Sequence, residues 1–112
     1  MRTLGNRGEE LAALELEQAG YLIVHRNWRC VRGEIDIIAW DGSTLVFIEV
    51  KTRRQGRCGD GMQAVDVRKQ KKIRQLALTY IHETSTSAPT YRFDVIAVDG
   101  NSGEITIVNN AF

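Results

Sequence analysis

Two short stretches of this 112-residue chain hold the side-chain types that metal-assisted hydrolysis uses. Glu34 and Asp36 lie in Gly33-Glu34-Ile35-Asp36-Ile37-Ile38-Ala39-Trp40, and Glu49 and Lys51 lie in Leu45-Val46-Phe47-Ile48-Glu49-Val50-Lys51-Thr52. Both stretches are apolar and β-branched, and Asp41-Gly42-Ser43-Thr44 between them is turn chemistry for a hairpin. With an even connection centred on Gly42 and Ser43, residue numbers in opposing positions sum to 85, so Asp36 stands opposite Glu49 and Glu34 opposite Lys51. Period-two alternation puts Glu49 and Lys51 on one side of their strand with Phe47. An odd-length connection would separate the two carboxylates.

Like charges opposite each other on adjacent strands destabilise the pair, and burial in so apolar a sheet adds desolvation to the cost. A divalent cation relieves both. Carboxylates and backbone carbonyls suit magnesium or manganese, which keep positions for water and a substrate phosphate. A lysine beside such a ligand can orient or deprotonate the attacking water, or offset charge as it develops on phosphorus. Spacing alone equally admits cross-strand salt bridges, Glu34 with Lys51 and Asp36 with Lys51, at an exposed hairpin end.

The elements that must position these groups follow from periodicity. Between Asn6 and Gly20, Glu9, Ala12, Ala13 and Leu16 form one helical stripe, Leu11 and Leu14 widen it, and Gly20 is a stop. Glu9 on that stripe is directed toward the core, where an unpaired carboxylate is expensive; the macrodipole at a helix N-terminus is its alternative explanation. Tyr21 to Trp28 reads as a strand, with an Arg-rich turn ending at Gly33. The strands Glu34 to Trp40 and Leu45 to Thr52 follow, then a loop from Arg54 to Gly61 with Gly56, Gly59 and Gly61. Asp66 is an N-cap for a second helix ending near Glu83, with Lys69, Ile73, Leu76, Ala77 and Tyr80 on its stripe. After the connector Ser85 to Thr90 come strands at Tyr91 to Val98 and Glu104 to Val108. Arg92 and Asp94 read as a strand-end ion pair. The expectation is one α/β domain, residues 1–112, with a mixed sheet flanked by helices in the order αβββαββ, and the second helix as a crossover between parallel strands.

Hydrophobic residues make up 43% of the chain and charged residues 26%, which excludes disorder, and no apolar run is long enough to span a membrane. Met1 to Glu10 carries no apolar stretch, so neither a signal peptide nor a transit segment is expected, and the expected location is the cytoplasm. Cys30 and Cys58 lack zinc-site spacing and read as incidental. Net charge is only +1, but Lys51, Arg53, Arg54, Arg57, Arg68, Lys69, Lys71, Lys72 and Arg74 face only Asp60 and Asp66 in the middle of the chain. That run is a candidate phosphate-binding surface, with a solvated helix face as the plain alternative. No run of aromatics suited to stacking single-stranded bases is evident.

The split pattern Gly33-Glu34-Ile35-Asp36 and Phe47-Ile48-Glu49-Val50-Lys51 resembles the acidic motif of the PD-(D/E)xK nuclease superfamily. Gly5 to Ala12 with Glu9, Asn27-Trp28-Arg29, the hairpin, the Gly-rich loop, the basic helix and Arg92-Phe93-Asp94-Val95 together resemble a widespread bacterial family of uncharacterised proteins distantly related to archaeal Holliday-junction resolvases. The resemblance runs over nearly the whole chain. It implies a restriction-endonuclease-like core, with Asp36 and Glu49 as metal ligands joined by the carbonyl of Val50. It further implies Lys51 as the catalytic lysine, Glu9 as the counterpart of the resolvases' extra N-terminal acid, and Mg²⁺ as the ion, with Mn²⁺ as a substitute. The superfamily's eponymous proline is absent, Ile35 standing before Asp36. The expectation is a metal-dependent DNA endonuclease acting as a homodimer, selective for branched or otherwise structured DNA. A non-catalytic DNA-binding or architectural module and a protein-assembly module are the alternatives.

Overall fold

The computed structural model describes residues 4–53 and 67–112, and side chains within them from residue 7 to 52 and from 67 onward. The Gly-rich segment, Cys58 and the expected cap Asp66 lie outside the described residues, as do Arg54 and Arg57 and the side chain of Arg53. The elements are α1 (Leu4–Gln18), β1 (Leu22–Cys30), β2 (Gly33–Asp41), β3 (Thr44–Arg53), α2 (Val67–Thr84), β4 (Thr90–Asp99) and β5 (Ile105–Val108). They form one mixed five-stranded sheet in the order β1-β2-β3-β4-β5. Only β3 and β4 run parallel, because α2 carries the chain back across the sheet; the other neighbours are antiparallel. The αβββαββ order and the parallel crossover match the expectation from periodicity.

Each helix covers one face. Ala12, Ala13 and Leu16 of α1 are buried against Ile37, Ala39, Val46, Ile48, Ile96 and Val98. Leu11 packs at the margin, but Leu14 is exposed, so the apolar face is narrower than the leucine count suggests. On the other face Leu76, Ala77 and Tyr80 of α2 pack on Ile38, Leu45 and Phe47. The Tyr80 ring meets Phe47 and Trp28 edge-on, and Phe47 stacks on Phe93, its register partner in β4. Fully burying side chains of this size is worth about 1.5–3 kcal/mol each, which is what fixes the helices to the sheet. Among the described residues no helix is long and apolar enough to cross a membrane.

The β2–β3 turn contains only Gly42 and Ser43, since Asp41 pairs with Thr44. Gly42 has φ 61° whereas Ser43 stays in the ordinary region, the pattern of a II′ hairpin with glycine first. This turn sets the register that aligns the two strands.

Near that turn the charged groups are tied together by hydrogen bonds. Arg92 Nε donates to both oxygens of Asp94, at 3.0 and 3.2 Å, and its Nη2 donates to Asp94 Oδ2 at 2.9 Å and to the Tyr21 hydroxyl at 2.8 Å. Nη2 also pairs with Asp41 at 3.0 Å. The Asn110 amide donates to Asp94 Oδ1 at 2.8 Å, so a carboxylate that is 1% exposed has every strong acceptor site occupied. Arg92 and Asp94 are thus an ion pair, and one that ties the residue before β1, β2, β4 and the residues after β5 together.

Candidate functional site

Register delivers the two carboxylates to one place. The β2–β3 ladder runs from Asp41↔Thr44 to Ile37↔Ile48, each pair summing to 85 as the even turn requires, and ends there. The next positions are Asp36 and Glu49. They are not bridged by ladder hydrogen bonds; the Asp36 carboxylate instead accepts the Val50 N–H at 2.8 Å. Ile35 packs in the α2-side cluster while Ile37 packs in the α1-side cluster, so strict alternation fails across Asp36. The strand breaks its pleat where its acid turns toward β3, and the predicted pairing of Glu34 with Lys51 does not continue the ladder.

The cleft at this end has a volume of about 250 Å³ and is lined by Glu34, Asp36 and Glu49 from the strands and Lys69, Lys72, Ile73 and Leu76 from α2. Lys69 Nζ lies 2.6 Å from Glu49 Oε2, and Lys51 Nζ lies 3.9 Å from the same oxygen. Glu34 pairs with Arg29 at 3.2 Å, and Lys51 with Glu49, in place of the two cross-strand bridges that spacing admits. Arg68, Lys71 and Lys72 are exposed on α2 beside the cleft. Glu9 is half-buried on α1. Gly8 explains how α1 comes so near the end of β3: a Cβ at this position would collide with Thr52 Oγ1. Cys30 is a free, half-buried thiol.

The electrostatics are strained. Burial raises the Asp36 carboxyl most, the charge of Glu49 raises it further, and the Val50 hydrogen bond opposes them, leaving a pKa of about 7. The charges of Glu9 and Glu34 add to the rise, so Glu9 is felt at the site from the far face of the sheet. Lys51 is lowered from the usual lysine value, first by burial and then by the charge of Lys69, with Glu49 opposing. At Lys69 burial also pulls downward, but the hydrogen bond and charge of Glu49 outweigh it and the net shift is upward.

Lys69 is the residue whose place the sequence pattern held without its meaning being drawn. It falls within the basic run of the middle of the chain, yet it shares the stripe of Ile73, Leu76, Ala77 and Tyr80, all buried against the sheet. A lysine on an apolar stripe needs an acidic partner on the facing element, and Glu49 is that partner.

A half-buried acid pair asks for a cation, and the donor set here suits a particular kind. Among the described residues no three His, Cys, Asp or Glu side chains converge. Two carboxylates at one cleft suit a hard ion that keeps several waters, and do not make a zinc site or a full calcium cage.

Fold and site together define a mixed α/β domain with paired carboxylates and two lysines at the end of its hairpin, between sheet and crossover helix. The chain belongs to the uncharacterised protein family UPF0102, whose model matches residues 8–98. A UPF0102 protein of Caldicellulosiruptor saccharolyticus is 43% identical over 115 aligned positions, covering 99% of this chain and 98% of the relative. One from Rhodococcus opacus is 46% identical, with 97% and 95% covered, and one from an Arthrobacter species is 48% identical, with 90% and 86% covered.

Proposed function

We propose that this chain is a divalent-metal-dependent DNA endonuclease of the cytoplasm, acting as a homodimer on branched or otherwise structured duplexes. The observation that carries the reading is that Asp36 and Glu49 line one cleft together with Lys69 and Lys72, with one carboxyl pushed up to about 7. The likeness of Asp36, Glu49, Val50 and Lys51 to the PD-(D/E)xK pattern supports it.

In this reading Asp36, Glu49 and the Val50 carbonyl hold Mg²⁺ or Mn²⁺, and Glu9 adds negative charge from α1. When bound, such an ion polarises a phosphoryl oxygen and acidifies water. The Val50 N–H fixes one Asp36 oxygen and leaves the other for the ion. Lys51, lowered by burial, is suited to hold the attacking water or take its proton, and to face the charge that grows on the phosphate oxygens. Hydrolysis then adds the water oxygen to phosphorus and releases the sugar oxygen with a proton. Arg53, Arg54, Arg57, Arg68, Lys71 and Lys72 are the groups for the flanking phosphates, and two copies would address two strands.

The test is cleavage of labelled linear, nicked, flap and four-way DNA with Mg²⁺ or Mn²⁺. Wild type is expected to cut at least one substrate, and Lys51→Ala to remain folded and metal-binding while losing about a thousandfold in rate. No cutting by either protein, with salt-sensitive binding retained, would sink the enzyme. The exposed basic face of α2 would then define a DNA-binding module without catalysis.

A further inference from the structure

A lysine stands where the acid pair would need a cation. Lys69 Nζ is 2.6 Å from Glu49 Oε2, against 3.9 Å for Lys51. Its helix position dictates this, since Lys69 precedes Ile73 by one turn and Leu76 by two, on the stripe that faces the sheet. The stem is therefore aimed inward, yet the Lys69 side chain is 43% exposed whereas that of Glu49 is 14% exposed. The ammonium sits at the mouth of the cleft with a route outward. An ammonium in contact with Glu49 and a divalent cation on the same carboxylate would repel each other at short range.

We propose that Lys69 is a movable counter-ion, neutralising Glu49 in the free protein and passing to a DNA phosphate that enters the cleft, so that metal and DNA load the site together. This rests on the nuclease reading for the identity of the ligands and adds an order of events to it. A partly exposed ion pair holds its partners weakly, so exchange costs little, and a phosphate oxygen is as good an acceptor for an ammonium as a carboxylate. Linkage then requires reciprocity: DNA that removes Lys69 from Glu49 raises metal affinity, and metal that displaces Lys69 raises DNA affinity by the same factor. Lys69 is a positioning residue in this scheme, acting on the metal site through Glu49.

The experiment measures Mn²⁺ binding to the full chain by electron paramagnetic resonance, with and without a short phosphorothioate duplex that resists cutting. Circular dichroism melts check that each variant folds. Without DNA, Lys69→Met is expected to bind Mn²⁺ about tenfold more tightly than wild type, because the competing charge is gone. Lys69→Arg, which keeps the cation, should resemble wild type, and Lys51→Met should change affinity by about twofold or less. The duplex should tighten Mn²⁺ binding by wild type about tenfold and leave Lys69→Met unchanged. Equal affinities for wild type and Lys69→Met, equal gains at Lys51 and Lys69, or a wild-type affinity indifferent to the duplex would each overturn the counter-ion while leaving the metal site standing. No Mn²⁺ binding by any variant would overturn the metal-dependent reading itself, and the counter-ion with it.

Discussion

At the turn end of the sheet, Arg92 lies between Asp94 and Asp41 and bonds to Tyr21; at the far end, Asp36 and Glu49 share a cleft with Lys69, and Lys51 stands 3.9 Å from Glu49. Both clusters hold two carboxylates, and both are at least partly removed from water. In the first, a planar guanidinium meets a carboxylate through parallel bonds, and a main-chain amide takes up further acceptor capacity. In the second, flexible ammonium groups approach one carboxylate, while the other is left to burial and repulsion and rises to about 7. Charge is spent on cohesion at one end and kept available at the other. The second cluster is therefore the candidate site on physical grounds alone.

The largest effect belongs to the matched cluster. Replacing Asp94 by alanine leaves the half-buried Arg92 without its main partner and frees the Asn110 amide. We expect a loss of about 3–5 kcal/mol in urea unfolding, the range for breaking one side of a buried pair. A loss under about 1 kcal/mol would mean that Asp41 and Tyr21 hold Arg92 unaided and would break the comparison.

The unmatched cluster should respond in the opposite sense. The Asp36 carboxyl stands above its unfolded value of 3.8, so the folded chain holds a proton that the unfolded chain has already released. That contribution is fully present below pH 4, and it is lost as pH rises through the folded value of about 7. Asp36→Asn cannot ionise, and its side-chain oxygen can still accept the Val50 N–H. In metal-free buffer the variant should therefore gain on wild type between pH 4 and pH 8, by on the order of 2 kcal/mol at the upper end. On the proposed metal-dependent reading, Mg²⁺ should restore wild type above pH 7 and do little for the variant, in which metal binding and cleavage should weaken together. A difference between the two proteins that stays flat with pH would show that Asp36 is not strained.

Much of this was legible in the residues. The two-residue turn, the alternation of β3 and the stripe of α2 are local, and from them the register, the carboxylate pair and even the inward course of Lys69 follow. Three things were not. Period-two reasoning assumes an unbroken pleat, so it missed that β2 changes face between Ile35 and Ile37 to turn Asp36 toward the Val50 amide. It paired Glu34 with Lys51, because nothing in spacing shows that the ladder stops at Ile37 and that Arg29 takes Glu34 instead. It also counted Leu14 as core, because apolar content does not fix the width of the face a sheet will cover. The saturation of Asp94 depends on Asn110 and the anchoring of Arg92 on Tyr21, which are distant in the chain and carry no motif.

The smallest effect tests how the cleft end of the sheet is held. There α1 meets β3 through Gly8, where a Cβ would strike Thr52 Oγ1, and this approach brings Glu9 within electrostatic reach of Asp36. In a helix interior alanine is intrinsically better than glycine by about 0.5–1 kcal/mol, so Gly8→Ala would stabilise if space allowed. The collision instead predicts a net loss of about 1–2 kcal/mol, as in other overpacked contacts. Thr52→Ala removes the hydroxyl, and the double variant should recover most of that loss, giving a coupling energy of about 1 kcal/mol in a double-mutant cycle. Additive behaviour would mean that α1 shifts freely on the sheet. In that case Glu9 has no fixed place beside Asp36, and the functional end is held only by the β3 strand and α2.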